Sequence, residues 1–349
     1  MSAEAFEFES TAARVADVAI YPLKAAAPAT VAGRIVTGLE VDAYGAVVDE
    51  VPDRGLVLGA VTDATNRQAS FISLRGLMPG TNRQVYGGDR QLAHIRPDIV
   101  GKGMVDIHVP GMRESLPIDF SMLDDEIDPE DCWQVDIHGR ALPAVSLGGH
   151  YAEPFANFLN KASAGVPVRD IRLFMRVPYG DRPMRPEYQR PGASHKIYGP
   201  DGAQLLMANG TTLRAIEQLH NMDDDEGTVR GHAGRVRANF WVDGLLPYEE
   251  DRIAAVRTRD LAMTALSACV RCVATGVHPM TAERDNEFLR LLTSTGRRGV
   301  AANSGDKGAI FGLNLAPQLA AGEKGTIRTG MPIEVAWSET SNILPAKPR

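Results

Sequence analysis

The chain has 349 residues, 44% of them hydrophobic and 23% charged, with 34 glycines and 22 prolines. That length carries a prior of roughly two domains and is ample for a sizeable core, and the Gly and Pro content favours a turn-rich, strand-rich fold over a helical bundle. A net charge of −7 excludes a general nucleic-acid surface, which needs clustered excess Lys and Arg; it leaves room for a small basic pocket.

Residues 1–14 are mixed and acidic (Glu4, Glu7, Glu9), without the basic n-region and apolar h-region of a secretory signal. No run approaches the ~18 apolar residues of a membrane span. Three cysteines, with Cys132 far from the other two, make no disulfide framework. A reducing cytoplasm is the expected compartment.

Short strands bounded by turn residues are expected at 15–21, 34–41, 56–61, 69–74 and 104–109. Residues 151–162 read as an amphipathic helix with Phe155, Phe158 and Leu159 on one face. The segment 177–202, dense in proline and glycine, reads as a long excursion, and loops of that length are usually functional or disordered. A helix capped by Thr211 or Thr212 is expected to run to His220, followed by the acidic turn Asp223-Asp224-Asp225-Glu226. A short helix is expected over 252–258, with Glu250 and Asp251 favouring its positive end. Residues 281–295 read as a helix burying Phe288, Leu289 and Leu292, and 325–335 as a hairpin closing a barrel. The sequence shows no internal repeat and no low-complexity tract.

The chemistry concentrates at Ala268-Cys269-Val270-Arg271-Cys272. Soft thiolates bind soft or high-valent metals, and a guanidinium beside a sulfur favours its anionic form. About thirty residues upstream lies the basic, polar run Arg235-Val236-Arg237-Ala238-Asn239-Phe240-Trp241, so the pair suggests a bound anionic metal cofactor. Three other readings stand beside it. A structural zinc site needs four ligands, and only Cys132 or a scattered His could complete it. A thioredoxin-like pair opens a helix, whereas residues 273–277 read as a strand entering a turn. A pair of small buried hydrophobes is the third.

Further residues join the pair: Arg237-Ala-Asn239, Pro247-Tyr-Glu-Glu-Asp251, Val277-His-Pro279, Ile310-Phe-Gly312 and Gly325-Thr-Ile-Arg-Thr-Gly330. In that order they resemble the MOSC family, the molybdenum cofactor sulfurase C-terminal domains, and within it the amidoxime-reducing branch. The first half is similar to that branch's N-terminal β-barrel extension through Ile20-Tyr-Pro-Leu-Lys24, Asp53-Arg54, Leu74-Arg75 with Pro79, and the stretch from Gly148 into the Phe155–Leu159 helix. The resemblance covers about residues 15–337. It implies a mainly β fold with peripheral helices (α+β): an N-terminal β-barrel-like domain at 1–170 and a MOSC β-barrel binding the cofactor at 171–349, with 172–202 an irregular connection.

The resemblance also implies a molybdenum cofactor (Mo-molybdopterin). Cys272 would be the metal ligand and catalytic residue, and Cys269 structural. Lys24, Arg54, Arg237, Asn239 and Arg271 would hold the phosphate and pterin, with Asn209 and Thr212 beside the pterin. Arg forks and a helix N-terminus suit a phosphate, and an Asn amide suits a pterin ring. Lys24 at a strand end and Arg237 paired with Asp243 or Asp251 are the structural alternatives. The chain differs from the family pattern at Ala25, Val270, His278 and Met331, and the stretch 41–50 lengthens the gap before Asp53.

The implied activity is a molybdenum-dependent reductase that removes oxygen from an N-hydroxylated small molecule, with His278, Asp243 and Glu250 as acid candidates. Electrons would come from a separate donor (a ferredoxin, flavin reductase or cytochrome b5-like protein), since an iron–sulfur cluster needs four cysteines. No nucleic acid or membrane partner is expected. A carrier of cofactor or sulfur, and another reaction on the same scaffold, are the alternatives.

Overall fold

The computed structural model describes residues 6–72, 90–122, 131–162, 170–177, 182–197, 199–200, 202–219, 234–320 and 322–345. The fold is mainly β with a few helices and contains two barrels, one of seven strands and one of five.

Strand residues alternate between faces, so a buried stripe at every second position defines the inside. Along Glu9–Val18, Ala13 and Val15 are buried while Arg14 is exposed. A register shift between Val15 and Asp17 then returns Val18 to the core, as a bulge does. This strand pairs with Phe240–Asp243 on one side and Pro332–Trp337 on the other. The larger barrel continues through Ile253–Arg257, Ala262–Arg271 and Lys307–Pro317, and closes where Lys307–Pro317 meets Leu205–Asn209. Ala262–Arg271 and Lys307–Pro317 are apolar almost throughout because they are covered twice. Leu266 and Ala316 face Met184, Tyr188, Ile197 and Ala203 outside the wall, while Met263 and Leu315 belong to the main core.

The smaller barrel is formed by Leu56–Asp63, Gln68–Phe71, Trp133–Asp136, Ala141–Ser146 and Ile171–Arg176. One apolar core runs through both barrels, and fully buried Phe155, Phe174 and Phe240 contribute about 1.5–3 kcal/mol each.

The strand pairing crosses residue 170: Ile171–Arg176 belongs to the small barrel, and Glu9–Val18 belongs to the large one. Several expectations about single elements need correction. Ile171–Arg176 also makes 172–202 less irregular than expected. Gly325–Arg328 forms no hairpin with Pro332–Trp337; it pairs with Gly38–Asp42, because the turn at Thr329-Gly330 sends the chain from one sheet into another. Residues 252–258 form no helix. A single 3-10 turn, Glu249–Arg252, leads into the strand Ile253–Arg257, whose β-branched and small residues suit a barrel wall. The helix at Gly210–Gln218 is capped by Asn209, whose side chain accepts from the Thr211 amide. The helix Glu287–Ser294 starts later than expected and buries Leu291 rather than Leu289. The helix near residue 150, Gly149–Ala162, does bury Phe155 and Leu159. Leu74, Arg75, Pro79, His220 and the acidic turn at 223–226 lie outside the described residues.

One buried charge cluster ties the helix Gly210–Gln218 to the barrel. Glu250 is 1% exposed and accepts from Asn209 Nδ2 at 2.9 Å and Thr212 Oγ1 at 2.7 Å. Arg297 pairs with Glu250 at 3.5 Å and with Asp251. Burial pushes both carboxyls above the usual range, and Arg297 offsets part of that rise. A carboxyl whose folded value is raised contributes stability that is present below its unfolded value and lost as pH rises through the folded one. Urea unfolding across a pH series is therefore expected to show stability falling from the ordinary carboxylate range upward, with Glu250→Gln removing its share of the slope. Arg297→Met, which strands two buried carboxylates, is expected to cost about 3–5 kcal/mol at neutral pH.

Candidate active site

A cavity of about 160 Å³ opens where the two barrels meet. Lys24, Arg54, Arg235, Arg237 and Arg271 line it together with Cys269 and Cys272, and no Asp or Glu is among its lining residues. In a chain of net charge −7, this is a local inversion of sign.

Each cation is held from behind. Lys24 is only 4% exposed; its Nζ donates to the Gly199 carbonyl at 2.8 Å and lies 4.9 Å from the centre of the Phe71 ring. Gly199 has to be glycine: a Cβ there would stand 2.1 Å from the Arg54 carbonyl oxygen. Arg54 pairs with the buried carboxylate of Asp53, which also accepts from the Tyr21 amide at 2.8 Å. The ring of Tyr21 is a shared plate, with the Arg54 guanidinium at 5.3 Å and that of Arg237 at 4.4 Å. Burial raises the Tyr21 hydroxyl above its ordinary value, with Arg237 and then Arg54 opposing. Arg237 also donates to the Ala26 carbonyl. Neither carboxylate considered for Arg237 in the sequence is its partner: Asp243 pairs with Arg214 at 2.8 Å, and Asp251 with Arg297.

The cysteines sit on the strand Ala262–Arg271 and just beyond its end. Register against Lys307–Pro317 shifts between Ala265 and Ser267 and again between Ala268 and Val270, so Cys269 lies in a bulge, a device that re-aims a side chain. Both cysteines are free and half-buried. Arg271 donates Nη1 to Cys269 Sγ at 3.0 Å and Nη2 to the Val236 carbonyl at 2.6 Å, while its buried Nε has no hydrogen-bond partner. The chain then turns into the 3-10 segment Val273–Gly276 rather than the expected strand, because Thr275 Oγ1 and its amide both return to the Cys272 carbonyl.

Four of the eleven described non-glycine residues with positive φ fall in the same place. Ala25, Arg54, His138 and Arg237 have φ of 73°, 51°, 56° and 57°, a left-handed region that L side chains rarely adopt. Such strain gathers at functional sites, and all four line this cavity.

Lys24, Arg54, Arg237, Asn239, Arg271 and Cys272 are therefore brought together, and Asn209 and Thr212 are not. Those two are fully buried and committed to Glu250, the Thr211 amide and the Tyr248 amide, and neither lines the cavity. Asn239 does line it, but its amide ties strands: Oδ1 accepts from Leu206 N at 3.0 Å and Nδ2 reaches Ala19 O at 3.5 Å. Of the acid candidates, His278, Asp243 and Glu250 are absent from the lining residues, whereas His138 is present. His278 instead accepts from the amides of Met280 and Thr281 at 3.2 Å each, so it caps the turn as an aspartate would. Sequence reasoning missed Tyr21, Arg235, His138 and Asn314. Only the Ile20–Lys24 and Arg235–Trp241 stretches signalled the first two. His138 arrives from a turn of the other barrel, and Asn314 from mid-strand, with no local pattern.

Among the described residues no group of three or more His, Cys, Asp or Glu is placed to hold a metal ion, which removes the zinc reading for these residues. Two cysteines in a cationic cavity, one of them engaged by Arg271, leave one sulfur to a metal whose other ligands come from an anionic organic group. The buried, unpartnered Nε atoms of Arg235 and Arg271 fit such an anion as well. No helix of the described residues is long and apolar enough to cross a membrane.

Comparison with known proteins agrees on the second half of the chain. Residues 194–334 match the family model of the MOSC domain, so the chain carries a MOSC domain there, and it includes the cysteine pair. A crystal structure of the YuaD protein from Bacillus subtilis is similar at 14% identity and a TM-score of 0.25, over 47% of this chain and 80% of that one. No curated protein matches the chain.

The Tyr21 plate yields a test. The Tyr21 hydroxyl lies 3.4 Å from the Ala238 carbonyl, a marginal hydrogen bond, so Tyr21→Phe is expected to cost less than about 1 kcal/mol in denaturant unfolding. Tyr21→Leu removes the ring from two guanidinium groups and is expected to cost about 2–4 kcal/mol.

Proposed function

We propose that the protein is a molybdenum-cofactor enzyme of the amidoxime-reducing type, acting on an N-hydroxylated small molecule. The observation that carries this reading is the cavity itself: five cations, two thiols and no carboxylate, three of the cations and both thiols from the MOSC domain and two cations from the first sixty residues. Cys272 is the metal ligand. Cys269 is not, because its sulfur is engaged by Arg271. Lys24, Arg54, Arg237 and Arg271 hold the cofactor's phosphate and pterin as fixed donors, positioned in advance by Gly199, Asp53, Tyr21 and Val236, so little reorganisation is needed on binding.

When bound, the cofactor supplies two-electron reduction: the N-hydroxyl compound, two electrons and two protons become the amine or amidine and water. The protein's part is to orient the substrate and deliver protons. His138 is the imidazole of the cavity wall and is placed to hand a proton to a group bound there. Electrons come from a separate donor protein of the ferredoxin, flavin reductase or cytochrome b5-like kind.

Expression in hosts with and without molybdenum-cofactor synthesis tests the reading. Near-stoichiometric molybdenum and pterin are expected in the competent host only. Cys272→Ala is expected to lose the metal, and Cys269→Ala to keep most of it. Metal-free, pterin-free wild type from the competent host would overturn the proposal. Loaded protein that turns over neither amidoximes nor hydroxylamines with an artificial donor would point to a carrier of the cofactor.

A further inference from the structure

The excursion after the small barrel reaches the cavity wall through a hydrogen-bonded chain. Its 3-10 turn Pro186–Tyr188 presents Tyr188, 7% exposed, whose hydroxyl donates to Asp306 Oδ2 at 2.7 Å. The side chains of Ser304 and of fully buried Ser267 both stand beside the same Tyr188 hydroxyl and oppose the rise that burial imposes on it. Asn314 Nδ2 in turn donates to Ser267 Oγ at 3.1 Å, and Asn314 lines the cavity. Ser267 and Asn314 face each other across the two barrel strands, on the strand that carries Cys269 two residues later.

The direction of every bond in this chain is forced. A carboxylate only accepts, so Tyr188 must donate to Asp306. Its hydroxyl proton is then used, so Ser267 must donate to Tyr188. Ser267 Oγ is left as an acceptor, and Asn314 must offer it the amide nitrogen. Asn314 Oδ1 accepts no hydrogen bond from the described residues, and the residue lines the cavity. Burial and Asp306 together push the Tyr188 hydroxyl up to about 12, which keeps it a donor at any physiological pH.

We propose that Asn314 is a specificity-determining residue whose Oδ1 accepts a hydrogen bond from an N–H or O–H of the substrate, with Ser267, Tyr188 and Asp306 as positioning residues that fix the orientation of its amide. The inference rests on the reductase reading above and narrows it. The cavity selects N–O compounds that carry a donor beside the reacting bond, such as amidoximes and hydroxylamines, over donor-free N-oxides. It also gives the excursion a role in the site. Arg190 donates to the Leu266 carbonyl at 2.9 Å and the Ser194 amide reaches the Pro317 carbonyl at 3.1 Å, clamping Tyr188 against the barrel wall.

The test uses molybdenum-loaded protein with benzamidoxime and pyridine N-oxide as probes. Asn314→Leu is expected to raise KM for benzamidoxime about fivefold to tenfold, the worth of one neutral hydrogen bond, and to leave KM for the N-oxide in place. Tyr188→Phe is expected to act in the same direction. A readout independent of turnover is the Asn314 side-chain amide signal in asparagine-labelled protein, identified by its loss in Asn314→Asp. It is expected to shift in Tyr188→Phe, where Ser267 regains a free proton. Equal effects on both probes, an unmoved amide signal, or loss of molybdenum in Asn314→Leu (a contact to cofactor rather than substrate) would each overturn the proposal and leave the reductase reading standing. No turnover of either probe by loaded wild type would remove both.

Discussion

Gathering like charges around one cavity is the constraint by which this structure is organised. Five cationic side chains face one cavity with no carboxylate on its wall, and burying a charge is costly unless polar or π partners offset it. The partners lie behind the wall rather than on it. Asp53 and Asp285 sit behind Arg54 and Arg235, the Tyr21 ring lies between Arg54 and Arg237, and backbone carbonyls take Lys24, Arg237 and Arg271. Each partner holds its cation in place while leaving the cavity side of the charge for something anionic.

That arrangement explains why the chain interleaves its two barrels. Lys24 and Arg54 come from the first sixty residues and Arg237 and Arg271 from the second half, so the cavity exists only where both are present. Glu9–Val18 is built into the large barrel, and the chain leaves it directly into Ile20–Lys24. Tyr21 is therefore fixed between a barrel strand and the Asp53 carboxylate. The left-handed backbone at Ala25, Arg54, His138 and Arg237 is a local cost that the surrounding sheets maintain.

Much of this was legible in the sequence, for reasons that differ by residue. The β character, the helix near residue 150 and the convergence of Lys24, Arg54, Arg237, Arg271 and Cys272 follow from short-range pattern and from the MOSC resemblance, whose residues are close in the chain. Asn209 and Thr212 were expected beside the pterin, and a helix N-terminus suits a phosphate; in the structure both side chains are bonded to Glu250, and nothing in the local sequence announces a carboxylate forty residues away. The 325–335 stretch looked like a hairpin because alternation and a Gly turn specify strands but not partners. Pairing between Gly325–Arg328 and Gly38–Asp42 is a long-range choice. His138 and Asn314 were invisible because each enters the cavity from an element whose neighbours have no part in it.

The bulge around Cys269 connects the Cys272 end of the cavity to its Asn314 end. Two register shifts within six residues leave Ser267 opposite Asn314, put Cys269 within reach of Arg271, and end the strand so that Cys272 begins the Val273–Gly276 turn. A regular strand would alternate strictly, so Ser267, Cys269 and Arg271 would all share one face. The interruptions release them to separate roles. Ser267 hydrogen-bonds Tyr188, Cys269 engages a guanidinium, and Arg271 presents that guanidinium to the cavity. The irregularity of this strand is therefore what lets one short stretch give three neighbouring side chains three different partners.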